Sequence, residues 1–222
     1  MRTLSFRVER IVFGKGLNTM RLTMAAGALL LLVVSVDLLT VVSAADETGT
    51  ITGVVNHASV SRAPTVVYID EMPGRSFTPP KAAPVIDQKN KAFLPKVLPV
   101  LVGTTVDFLN SDSFEHNVNS PDGEKYDLGK PQKGEKKSYT FKRAGVYTQL
   151  CNLHPEMIGY VVVLKTPYFA VADQSGKFLI PNVPAGAWKL KVWNERLRPA
   201  QLEKAVDAKV VAGQEVKVDT TP

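Results

Sequence analysis

The sequence predicts an all-β protein made of two β-sandwiches, and three observations carry that expectation. Apolar and β-branched residues recur in short runs, many of them alternating with polar ones, as in Thr48 to Val55, TGTITGVV. Pro and Gly, 15 of each, cut those runs at short intervals. Compact turn signals separate them, such as Ser120-Pro121-Asp122-Gly123 and Val183-Pro184-Ala185-Gly186, where Pro presets one dihedral and Gly permits the next.

The first 45 residues stand apart. Arg2, Arg7, Arg10, Lys15 and Arg21 precede an apolar run from Ala25 to Val42, and Ser43-Ala44-Ala45 offers the small residues of a cleavage site, so 1–45 reads as an export signal. Asp37 inside the run disfavours a permanent span. Membrane contact is therefore expected only if this segment stays uncleaved, and the location is expected to be periplasmic or extracellular. Five basic and two acidic side chains lie there, leaving 22 basic against 19 acidic in the remainder. That balance, with no phosphate-cradling Gly-rich loop or aromatic-basic stripe, gives no sign of nucleic-acid binding.

After Thr48–Val55 comes Thr65 to Ile69, TVVYI, a strand with a more continuous apolar character. His57 between them reads as a loop residue with no donor near it. Glu71 to Pro84 holds four prolines and is a connector. Strands return at Val85–Gln88, Phe93–Val102 and Thr105–Asn110. Lys130 to Lys137, KPQKGEKK, reads as a solvated polar loop, or as a surface that steers an acidic partner. Ser138–Phe141 then leads to the stretch around which the chain is organised, GVYTQLCNLHPEMIGYVVVL, Gly145 to Leu164.

Two alternating strands flank a short loop in that stretch, and the loop carries Cys151, His154 and Met157 at i, i+3 and i+6. Thiolate, imidazole and thioether are the donors of a type 1 copper site, which needs one more imidazole. His116 supplies it after the Thr105–Asn110 strand and a polar turn, 35 positions before the cysteine. Singly, each of these residues is more often a packing or hydrogen-bonded group than a ligand. Together they place the chain's only Cys and two of its three His in one pattern. Zinc is the rival metal, but a structural zinc site wants a fourth Cys, His or carboxylate. One Cys forms no intramolecular disulfide, and three His are too few for the additional copper centres of a multicopper oxidase, so no enzymatic activity is expected.

The arrangement His116…Cys151-x-x-His154-x-x-Met157 resembles the cupredoxins, the plastocyanin and amicyanin families in particular. His116-Asn117-Val118 is similar to the former, and the short Cys-to-Met loop with Pro155 to the latter. The resemblance implies a Greek-key β-sandwich binding one copper ion as Cu(I) or Cu(II) through His116, Cys151, His154 and an axial Met157. It also implies that the backbone N–H of Asn117 donates to the thiolate.

The character shifts beyond Leu164. Tyr168–Val171 and Lys177–Ile180 form a hairpin, followed by Trp188–Trp193 and closing strands at Val206–Val211 and Glu215–Val218. Trp188 and Trp193 fall on opposite faces, so at least one is expected in a core. The wording DQSGKFLIPNVPAGAWKLKVW resembles the carboxypeptidase regulatory-like, transthyretin-like sandwiches, which normally begin with strands like Gly49–Val55 and Val66–Ile69. The expected organisation is 1–45 signal peptide, 46–79 first strands of the smaller sandwich, 80–165 an inserted copper domain, and 166–222 the remainder of the smaller sandwich. Asn194 stands where some members carry His, and no metal role is expected of it. The function implied is single-electron carriage between redox partners such as a cytochrome or dehydrogenase. A copper delivery or storage protein and a cell-surface interaction module remain the alternatives.

Overall fold

The computed structural model describes residues 47–222; the export signal expected at 1–45 lies outside the described residues. The strands are β1 (Thr48–Val54), β2 (Thr65–Ile69), β3 (Val85–Lys89), β4 (Ala92–Leu94), β5 (Val97–Leu101), β6 (Thr105–Asn110), β7 (Asn119–Ser120) and β8 (Tyr126–Asp127). They continue with β9 (Lys136–Thr140), β10 (Gly145–Leu150), β11 (Ile158–Leu164), β12 (Phe169–Ala172), β13 (Lys177–Pro184) and β14 (Gly186–Trp193). A single helical turn, α1 (Pro199–Leu202), precedes β15 (Ala205–Val210) and β16 (Glu215–Lys217). The protein is all-β, and among the described residues no helix is long and apolar enough to cross a membrane.

Among the described residues these form four sheets, ordered β13-β1-β16, β12-β2-β14-β15, β5-β11-β10-β7-β8 and β4-β3-β6-β9. The strands from β3 to β11 pair only among themselves, whereas β1 pairs with β13 and β16, and β2 with β12 and β14. One apolar core lies between the first two sheets, around Ile51, Val67, Ile69, Ile180, Leu190 and Val192. A second lies between the last two, around Ile86, Phe108, Phe141, Tyr147, Val161 and Val163.

The layers also meet each other. Val66 and Trp193 point away from the first core and join Val97, Val162 and Leu164, with Tyr160 and Trp193 rings 5.2 Å apart. This explains the continuous apolar runs TVVYI and VVVL: β2 and β11 are each covered on both faces, so alternation with polar residues is lost. Trp193 lies in this junction, while Trp188 packs from the other side against the first core.

Some elements differ from expectation and others gain detail. The run Phe93–Val102 is two strands, parted at a cis Leu94–Pro95 bond. The Ser120–Gly123 turn closes a small β7–β8 hairpin. The last two lysines of the expected polar loop belong to β9, where Lys136 bonds Asp107 at 2.5 Å. His57 is held by Ser59 at 2.8 Å and Gln201 at 3.2 Å. Asn194 is fully buried and bonds Ala63 O at 3.0 Å and Thr65 Oγ1 at 2.8 Å, a structural joint between β14 and the start of β2.

Candidate metal centre

The centre forms where two segments of the β3–β11 half converge. β10 and β11 pair antiparallel up to Leu150 opposite Ile158, so Cys151 to Met157 closes a hairpin loop. Within it His154 N–H donates to Cys151 O at 3.3 Å, and Met157 N–H to His154 O at 2.9 Å. Two successive three-residue turns carry the chain from Cys151 through His154 to Met157. The other segment leaves β6 at Asn110 and returns at β7, whose Asn119 pairs with Leu150.

His116, Cys151 and His154 offer donor atoms that all lie within 4.8 Å of one another. Nδ1 of His116 is 3.2 Å from Nδ1 of His154, and Cys151 Sγ is 3.6 Å from the latter. Donors sharing one ion through bonds of roughly 2.0–2.3 Å stand at separations of this kind. His116 is wholly buried and Cys151 nearly so, while His154 is only part-buried. Met157 is buried in the same core cluster as Cys151. One sulfur able to bind as thiolate and two imidazole nitrogens form a set suited to copper.

The surrounding hydrogen bonds hold these groups in place. The backbone N–H of Asn117 donates to Cys151 Sγ at 3.4 Å. The Asn117 side chain donates to Asp127 Oδ1 at 2.8 Å and Gly129 O at 3.0 Å, and accepts from Asn119 Nδ2 at 2.6 Å. Asn119 also donates to Leu150 O at 3.2 Å. This web ties the histidine segment to the cysteine segment, so the donors are positioned by the fold itself.

Two further residues escaped sequence reasoning. Asp112 Oδ2 lies 2.8 Å from Nε2 of His116, and its two oxygens accept from the backbone N–H groups of Asn90 at 2.9 Å and Lys91 at 3.1 Å. Burial alone would raise this carboxyl, but the bonds from Asn90, His116 and Lys91 outweigh it and hold it below the usual carboxylate range. Phe114 is exposed and packs its ring 5.0 Å from that of His116 and 5.7 Å from that of His154. The i−4 and i−2 spacing from His116 was the available signal for both. Nothing in an isolated polar turn says which of its side chains folds back.

Fold and donor set together define the class: an all-β, copper-binding protein. Residues 81–164 match the family of copper binding proteins of the plastocyanin/azurin kind, a cupredoxin assignment for that span. Similar solved structures include a reduced amicyanin variant at 31% identity, covering 39% of this chain and 91% of that one, with a TM-score of 0.36. An oxidised amicyanin variant shares 31% identity over 44% of this chain and 97% of its own, with a TM-score of 0.36. A copper-containing nitrite reductase from Thermus scotoductus shares 28% identity over 44% of this chain but only 25% of its own, with a TM-score of 0.37. No curated protein matches the chain.

Proposed function

We propose that this is an exported mononuclear blue copper protein that carries single electrons between redox partners, without enzymatic activity. His116, Cys151 and His154 would hold the ion, and Met157 would add a weak thioether donor. The observation that carries the reading is the convergence of two imidazoles and one thiol within 4.8 Å, sealed in the core on one side and reaching the surface only at His154. Copper bound there would alternate between Cu(I) and Cu(II), taking up and releasing one electron. The residues do the rest: Asn117 N–H steadies the sulfur, the β10–β11 hairpin fixes the loop, and the buried surroundings limit rearrangement between oxidation states.

Electrons would leave at His154. Exposed Leu153 and Pro155 flank it in the loop, Ile158 follows at the start of β11, and Phe114 lies against both imidazoles. An apolar patch of this size suits a small, short-lived interface with a redox protein such as a cytochrome or dehydrogenase. Lys130, Lys136 and Lys137 are each near a carboxylate, Glu115, Asp107 and Glu135, so steering by that run would be weak. We further propose that 80–165 is a copper domain inserted into a regulatory-like sandwich formed by 46–79 and 166–222, and that 1–45 directs export. Stopped-flow electron exchange with a soluble cytochrome tests the carrier reading. Leu153→Asp should slow exchange while the visible spectrum stays unchanged, and equal rates for parent and variant would move the exit to another face.

A further inference from the structure

The least explained feature near the centre is why a buried carboxylate faces one of its imidazoles. Asp112 is only 9% exposed, sits four residues before His116, and is held by several hydrogen bonds. Its own N–H donates to Asn110 Oδ1 at 2.9 Å, and the Asn110 side chain donates to Phe114 O at 3.0 Å and Pro131 O at 2.9 Å. Its carboxylate caps the β3–β4 hairpin turn, whose Asn90 and Lys91 take φ of 55° and 54°, a left-handed conformation that non-glycine residues seldom adopt. The turn thereby points two adjacent N–H groups at one carboxylate.

A carboxylate accepts hydrogen bonds and donates none, so a 2.8 Å contact to His116 Nε2 requires the proton to sit on that nitrogen. In a neutral imidazole the lone pair then belongs to Nδ1, the atom facing His154. From this we infer that Asp112 is a positioning residue: it sets the tautomer and ring orientation of His116, and its negative charge behind the ligand favours Cu(II) over Cu(I), lowering the reduction potential. The inference rests on the reading of His116 as a copper ligand. The line of support runs from the hairpin amides to Asp112, from Asp112 to His116, and so to the ion. Partners of this kind typically change metal affinity about 10–100-fold when removed.

Two experiments on the full chain test it. In the metal-free protein, long-range proton–nitrogen NMR should find His116 protonated at Nε2, and a proton on Nδ1 would overturn the inference without any substitution. In the copper-loaded protein, Asp112→Asn and Asp112→Ala should both stay blue and both raise the reduction potential. Asp112→Ala should in addition lose about 10–100-fold in Cu(II) affinity. Each tenfold loss confined to Cu(II) corresponds to about 59 mV. A blue parent with variants of unchanged potential and affinity would overturn the role of Asp112 alone. A parent that forms no blue site would instead overturn the ligand reading beneath it, and this inference with it.

Discussion

Trp193→Ala tests whether the two sandwiches unfold as one body. Trp193 is 7% exposed and fills the junction made by Val66, Val97, Val162 and Leu164, with Tyr160 against its ring. Removing a buried Trp costs about 3–5 kcal/mol in lost transfer energy and cavity formation. Here the void opens beside β11, whose Val161 and Val163 line the core that holds Cys151 and Met157. For a domain of this size each kcal/mol lowers Tm by roughly 2–4 °C, so the shift should be roughly 6–20 °C. Thermal unfolding followed in parallel by circular dichroism and by the copper-dependent visible band is the assay. The parent should show one coincident transition, and the variant the same transition at lower temperature. Two separate transitions in the parent, or a loss below about 1 kcal/mol in the variant, would refute the shared junction.

Three shorter predictions follow from individual sites. Asp107 is held below the usual carboxylate range chiefly by its bond to Lys136 and then by Ser138 at 2.6 Å, so Asp107→Asn should cost about 1 kcal/mol near neutral pH, allowing for the exposure of Lys136. Because the folded value is depressed, that stability is present above the unfolded value of about 3.9 and disappears as pH falls through the folded one. Urea titrations at neutral pH and below pH 3 should therefore show the parent–variant gap closing, and a gap independent of pH would contradict the assignment. A Cβ at Gly53 would collide with the backbone oxygen of Val218 and press on Phe178, so Gly53→Ala should lose about 1–3 kcal/mol by thermal melting. A neutral effect would mean that the segment after β16 does not pack so closely there. Met157→Leu should keep the blue colour and raise the reduction potential measured by voltammetry, because losing a weak axial donor disfavours Cu(II). An unchanged potential would place Met157 in the core and not at the metal.

The sequence made the strands and the donor cluster legible because both rest on local periodicity. The period-2 runs read as strands wherever one face is polar, and the three-residue spacing of Cys151 and His154 needs only one turn to bring thiol and imidazole together. The continuous runs at Thr65–Ile69 and Val161–Leu164 marked double-sided burial, but not what covered the second face. That depends on Trp193 meeting Val162 and Leu164 from 29 or more residues away. Asp112 and Phe114 stayed hidden for a related reason. Asp112 draws its role from the amides of a hairpin turn some 20 residues upstream, and Phe114 from a loop 40 residues downstream. The short α1 turn follows from Pro199 at its first position, a signal too brief to stand out beside strong strand patterns. Asn194 illustrates the converse, a polar residue in a conspicuous place whose bonds to Ala63 and Thr65 are purely structural.

The most direct test of the copper reading is spectroscopic. Cu(II) added to the purified protein in equimolar amount should give an intense visible charge-transfer band from the Cys151 thiolate, with an electron paramagnetic resonance spectrum of a type 1 site. Cys151→Ser should abolish the band while far-ultraviolet circular dichroism stays that of a folded β protein. A colourless copper adduct of the parent, or a blue one that survives Cys151→Ser, would contradict the account.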